Sequence, residues 1–239
     1  MLLDSRARAE EIFRGVRAEG RKELMEHEAK GVLEAYGIPV NPTGLARSKQ
    51  EALGLARKMG YPVNLKICSP DILHKSDARA VKVGLSSDQE LEGAFEEVMA
   101  NARAYRSDAR ILGVTVSQYV PQGTEVIIGG MKDPTFGPVV MFGLGGIWVE
   151  VLKDVSFRLA PLERADAEEM IEEIKGSPVL KGLRGKPRSD LKALVEMLLR
   201  AGKLLSDFPE IEEMDINPIF VFEEGKGARA VDARIILSG

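Results

Sequence analysis

The chain of 239 residues is long enough for one large domain or for two lobes, since domains commonly run to roughly 100–200 residues. Apolar residues make up 44% and charged residues 29%, the balance of a globular protein, and a net charge of -4 gives no electrostatic reason to expect nucleic acid or an anionic membrane as partner. The opening MLLDSRARAEEIFRGVRAEG lacks the apolar core of a signal peptide, the longest apolar run (Gly137 to Leu152) is too short and Gly-rich to span a bilayer, and a lone cysteine excludes a disulfide framework or a multi-cysteine zinc site. A cytoplasmic location is expected.

Apolar positions recur at helical spacing from Ala7 to Val16 and from Leu24 to Tyr36, with Gly37 and Pro39 as the stop, so two helices precede the first strand. Ser48 to Met59 reads as a helix with Ser48 as N-cap, Glu51 three residues on, and Gly60 at its end. Pro62 to Ile67 is a short apolar run carrying Lys66. Ser69-Pro70-Asp71 is turn chemistry, and Ala80 to Leu85 resumes a strand, which places His74 near the tip of a strand-loop-strand unit. Ser86-Ser87-Asp88 open a helix through about Tyr105, closing a mixed α/β lobe near Ala109. From Ile111 strands follow quickly: Val114 to Val120, Thr124 to Gly130 and Pro138 to Phe142, assigned to a second lobe. Helices at about Arg164 to Lys175 and Asp190 to Ser206 precede two last strands, Ile211 to Phe222 and Ala228 to Ile236. The divisions are therefore 1–21 as a helical extension, 22–110 as the N-terminal lobe and 111–239 as the C-terminal lobe.

Several residues can carry chemistry. His74 on its loop is either a nucleophile or a solvated side chain, whereas Cys68 reads as a small buried residue. In FGLGGIWVE, Gly143, Gly145 and Gly146 follow a buried strand, where missing Cβ atoms let backbone amides approach phosphate oxygens; a tight turn accounts for them equally well. Neither GxGxxG nor GxxxxGK[ST] occurs. Asp215 and Asn217 leave one face of a strand, and a hairpin would bring Asp232 alongside, clustering hard oxygen donors of the kind that hold magnesium with substrate phosphates. The alternative is that Asn217-Pro218 forms a bulge and the acids are surface groups. Lys66 and Arg158 can neutralise a nucleotide tail or serve as ordinary ion-pair partners. SQYVPQGTEV reads as strand, hinge and strand, in which backbone groups around Val120 can meet a purine and Glu125 a ribose.

The order of these features resembles the ATP-grasp family, an α+β fold whose nucleotide lies between two α/β lobes. The segments EAKGVLEAYGIPV, SPDILHKSD, DPTFGPVVMFGLGGIWVEVLKDVSFRLAPL, LKGLRGKPRSDLKAL and EMDINPIFV resemble the β subunits of ADP-forming acetate–CoA ligases, and the similarity runs from about Lys22 to Ile236. That resemblance implies a reversible reaction in which acyl-CoA, ADP and phosphate give acid, CoA and ATP. It implies ATP/ADP and Mg2+ as cofactors, and a CoA-binding α subunit as partner in an α2β2 heterotetramer. By the same matching His74 and Arg158 are catalytic, His74 as a phosphate carrier. Lys66, Val120, Glu125, Gly145, Gly146 and Asp215 meet the nucleotide, and Asn217 and Asp232 hold magnesium. One departure stands out: Asp77-Ala78-Arg79-Ala80 replaces the paired glycines usual after HKSD, so Arg79 either clamps a phosphate or blocks the site. A stand-alone ATP-grasp carboxylate ligase and a non-catalytic nucleotide-sensing subunit are the rival readings.

Overall fold

The computed structural model describes residues 2–72, 74–146, 149, 151–183, 185 and 187–239, with the side chains of 2–4 excepted. In chain order its elements begin with α1 (Leu2–Ala18), α2 (Glu26–Ala35), β1 (Thr43–Ala46), α3 (Lys49–Met59), β2 (Val63–Cys68), β3 (Val81–Leu85), α4 (Asp88–Tyr105) and β4 (Gly113–Gln118). They continue with β5 (Thr124–Asp133), β6 (Gly137–Leu144), β7 (Val155–Leu159), α5 (Arg164–Glu173), α6 (Ser177–Leu180), α7 (Leu191–Asp207), β8 (Ile211–Val221), β9 (Ala228–Ala230) and β10 (Arg234–Leu237). Two compact units result, one of Met1–Leu24, Glu28–Val40 and Gln122–Gly239, the other of Met25–His27 and Asn41–Pro121.

The smaller unit is an antiparallel sheet in the order β1-β4-β2-β3. Alternate residues Leu65, Ile67, Val114 and Val116 meet Ala52 and Ala56 of α3 and Leu91 and Val98 of α4 in one apolar cluster. Both helices start where serine chemistry dictates. Ser48 Oγ accepts the Glu51 amide at 3.2 Å and Ser87 Oγ accepts the Glu90 amide at 3.2 Å, each cap contributing about 1 kcal/mol. The returning carboxylates reach one residue further back than a capping box would, Glu51 to the Arg47 amide and Glu90 to the Ser86 amide. Gly60, at φ 83°, closes α3 in a backbone state that side chains disfavour.

The strand at 113–118 corrects the expected boundary near residue 110. Lys66 opposes Thr115 and Leu65 opposes Val116, so β4 belongs to the sheet of the smaller unit, whose last residue is Pro121. Alternating apolar residues announce a strand but do not choose its sheet. Asn64, unexpected in an apolar strand, has a structural reason. Val63 opposes Leu85 while Leu65 opposes Lys82, so β3 takes three steps against two, and Asn64 Oδ1 accepts the Gly84 amide at 3.0 Å within the bulge.

The larger unit holds a six-stranded sheet in the order β10-β8-β5-β6-β7, with β9 beside β8. Val126, Ile128, Val140 and Phe142 face the apolar stripe of α7, Leu194, Leu198, Ala201 and Leu205. A Cβ on Gly130 would lie 2.5 Å from Leu205 Cδ1, so glycine there permits the helix to seat. The segment expected as an extension is part of this core: Ala9, Phe13 and Val16 of α1 are buried in it, with the Phe13 and Phe208 rings edge to face at 5.0 Å. The terminal strand expected over 228–236 is two strands, β9 and β10, separated by Val231 to Ala233. β1, β7 and α6 were not anticipated, being too short for a period to register. Among the described residues no helix is long and apolar enough to cross a membrane.

Candidate functional site

Strand parity decides which side chains share a face. In the larger unit the core takes Val126 and Ile128 of β5, Val140 and Phe142 of β6, and Met214 and Ile216 of β8. The opposite face therefore receives Glu125, Ile127, Gly129 and Met131, then Val139, Met141, Gly143 and Gly145, then Glu213, Asp215 and Asn217. A cavity of about 300 Å³ is lined on this face by Ile127, Gly129, Met141, Phe157, Asp215 and Asn217. A second, larger cleft of about 590 Å³ is lined by Gly123, Thr124, Glu125, Gly145, Arg188, Ser189 and Lys226.

Asp215 and Asn217 lie two apart on β8, and Asp232, expected on the last strand, lies in the segment between β9 and β10. The carboxylate of Asp232 is near enough to act electrostatically on that of Asp215. Burial pushes the Asp215 carboxyl above its ordinary value, the negative charges of Glu213 and Asp232 add to this, and Arg234 opposes it. The bulge reading of Asn217-Pro218 is also correct. Ile128 opposes Ile216 while Val126 opposes Ile219, so β8 takes three steps against two, and both isoleucines stay in the core while Asn217 remains exposed. Bulge and cluster are compatible because the extra residue re-aims the strand without turning Asp215 inward. Among the described residues no group of three or more His, Cys, Asp or Glu is arranged to hold a metal. Two carboxylates and an amide nevertheless suit magnesium, which keeps part of its water shell and completes its coordination with phosphates. A crowded set of acidic oxygens with a raised carboxyl is relieved by such a cation.

Glu125 and Gly145 are register partners across β5 and β6, the Gly145 amide donating to the Glu125 carbonyl at 2.8 Å. Gly146 has φ 61°, the left-handed state that favours glycine. Val120, buried in the smaller unit, lies one residue before the division between the units at Pro121 and Gln122, inside the segment read as a hinge.

Arg158 does not join these residues. It opposes Val140, a core residue, and so projects to the helix side of the sheet, where its guanidinium meets Glu173 at 2.8 Å and Glu169 at 3.3 Å on α5. The parity therefore places Arg158 on the face opposite Asp215 and Asn217.

In the smaller unit Lys66 leaves the face of β2 opposite α3 and α4, together with the buried Asn64, Thr115 and Ser117. His74 is exposed in the loop between β2 and β3, which is closed by Ala78 N–H to the His74 carbonyl at 3.2 Å and Ala80 N–H to the Lys75 carbonyl at 2.9 Å. Arg79 adopts φ 50°, a left-handed backbone state that favours glycine. Its side chain is exposed, its amide bonds the Ser76 carbonyl, and its carbonyl accepts from Asn101. Cys68 is buried, as expected. Two acids were missed. Glu26, the first residue of α2, pairs with Lys66 at 3.1 Å, and Asp154 accepts the amides of Lys175 at 2.8 Å and Gly176 at 2.7 Å. Neither has a local signal, since each partner is distant in sequence.

Comparison with known proteins agrees with this geometry. The model of the ATP-grasp domain family matches residues 15–237. Subunit beta of ADP-forming acetate–CoA ligase II from Pyrococcus furiosus is 52% identical over 95% of this chain and 97% of its own, and subunit beta of ligase I from the same organism is 50% identical over 98% and 100%. A solved dinucleotide-forming acetyl-coenzyme A synthetase 1 of Ca. Korarchaeum cryptofilum, in complex with coenzyme A and Mg-AMPPCP and with its phosphohistidine segment pointing towards the nucleotide binding site, superposes with a TM-score of 0.86 at 43% identity, over 96% of this chain and 100% of that one. The chain belongs to the ATP-grasp family and, within it, to the β subunits of ADP-forming acetate–CoA ligases.

Proposed function

We propose that this β subunit passes phosphate between a phosphohistidine and ADP/ATP, so that acyl-CoA, ADP and phosphate are converted to acid, CoA and ATP with a CoA-binding α subunit. The observation that carries the reading is that Asp215 and Asn217 line one cavity on the open face of the six-stranded sheet, with the Asp232 carboxylate near enough to act on Asp215. Asn217 and Asp232 hold magnesium with Asp215 beside them, and the ion supplies charge neutralisation for the phosphates. Glu125, Gly145 and Gly146 receive the nucleotide, Val120 offers its backbone to the purine, and Lys66 contacts phosphate oxygens. His74, exposed on a short loop, takes the terminal phosphoryl group of ATP on an imidazole nitrogen with ADP as the leaving group, and in the reverse direction returns it to ADP. The assembly is an α2β2 heterotetramer in the cytoplasm.

The test is phosphorylation of the purified chain with ATP and magnesium. An acid-labile phosphate on His74 that ADP discharges is the expected result, and His74→Ala should retain nucleotide binding while losing exchange and, with the α subunit, ATP formation. Near-normal ATP formation by His74→Ala would overturn the relay.

A further inference from the structure

We propose that Glu26 is a positioning residue for Lys66, anchoring its ammonium where it meets phosphate. The inference rests on the reading of Lys66 as a phosphate contact. Glu26 and Lys66 are far apart in sequence and meet because α2 begins beside the open face of β2. The carboxylate lies 3.1 Å from Lys66 Nζ, with side-chain exposures of 3% for Glu26 and 15% for Lys66. A lysine side chain has four rotatable bonds, and free in solvent it would spread its charge over many positions. Fixing the ammonium against a buried carboxylate removes that spread before phosphate arrives, and an ammonium can donate to a carboxylate and to a phosphate oxygen through different N–H groups. Thr115, Ser117 and Asn64, all buried on the same face, confine the lysine stem.

The sign of the effect separates positioning from plain electrostatics. A carboxylate near a phosphate site repels anions, so its removal would ordinarily tighten binding. An anchor gives the opposite result. In the full chain, with magnesium, Glu26→Ala should weaken ADP about tenfold, within the range of a charge-assisted hydrogen bond, and leave adenosine affinity unchanged. Glu26→Gln, which keeps an acceptor oxygen, should recover part of the loss, and it carries the same comparisons should Glu26→Ala fail to fold. In a Lys66→Met background the Glu26 substitutions should have no further effect on ADP.

Tighter or unchanged ADP binding by the Glu26 variants, an equal loss for adenosine, or an undiminished effect in the Lys66→Met background would each overturn the assignment. Unchanged ADP affinity in Lys66→Met alone would instead remove Lys66 from the phosphate site, a separate failure of the underlying reading.

Discussion

Glu125 and Gly145 lie so close across β5 and β6 that a Cβ on Gly145 would stand 2.5 Å from Glu125 Cγ. Glycine at 145 is therefore what lets the Glu125 side chain lie over the neighbouring strand in the open cleft. Gly145→Ala should displace Glu125, cost about 1–3 kcal/mol through overpacking, and weaken nucleotide binding. Thermal unfolding and calorimetric titration with Mg-ADP check both effects; a variant that binds normally would detach Glu125 from the nucleotide.

Asp215 carries opposite consequences for stability and binding. Its carboxyl is raised above the ordinary value by burial, Glu213 and Asp232, so the folded state holds its proton to higher pH than the unfolded chain does. Within the window between those two values the folded state binds more protons, and stability falls as pH rises through it. At neutral pH Asp215 therefore opposes folding in the metal-free chain. Asp215→Asn should raise the unfolding temperature at neutral pH, lose that advantage as pH falls below the ordinary carboxylate range, and weaken magnesium-dependent ADP binding. Equal melting temperatures at pH 7 with magnesium omitted would contradict the sign.

Arg158 faces α5, paired with partners that are about half exposed or more. Arg158→Ala should leave nucleotide affinity and phosphate exchange intact and cost at most about 1 kcal/mol. A large loss of exchange with unchanged folding would instead give Arg158 a part in the reaction.

The φ of 50° at Arg79 makes the loop after His74 testable from the backbone alone. A non-glycine residue in this region costs on the order of 1 kcal/mol, partly offset in a glycine variant by greater freedom of the unfolded chain. Arg79→Gly should thus be neutral or stabilising by up to about 1 kcal/mol. The loop's hydrogen bonds through the Arg79 amide and carbonyl do not involve the side chain and survive the change. Destabilisation of more than that, measured by denaturant titration, would mean that the exposed guanidinium contributes to the fold.

By itself the sequence determined what depends on neighbours along the chain. Ser48 and Ser87 announced the starts of α3 and α4 because a cap bond spans only three residues, and the glutamates beyond them reported the same turns. Gly60 and Gly146 marked positive φ because only glycine adopts it without cost. The grouping of Asp215 with Asn217 followed from the two-residue period of a strand, which holds even next to the bulge. Tertiary structure decided whatever required a choice of partner. Alternation revealed β4 but could not say that Thr115 would lie beside Lys66, and it could not say which face Arg158 would take until Val140 was its neighbour. Asn64 looked misplaced until the Gly84 amide, freed by a bulge on another strand, was set against it. Glu26 had no signal at all, because a lone acid at a helix start is ordinary and acquires meaning only when folding brings Lys66 to it. Local patterns are fixed by covalent geometry and short hydrogen bonds, whereas pairing and facing are fixed by burial of the whole core, which no window of the sequence contains.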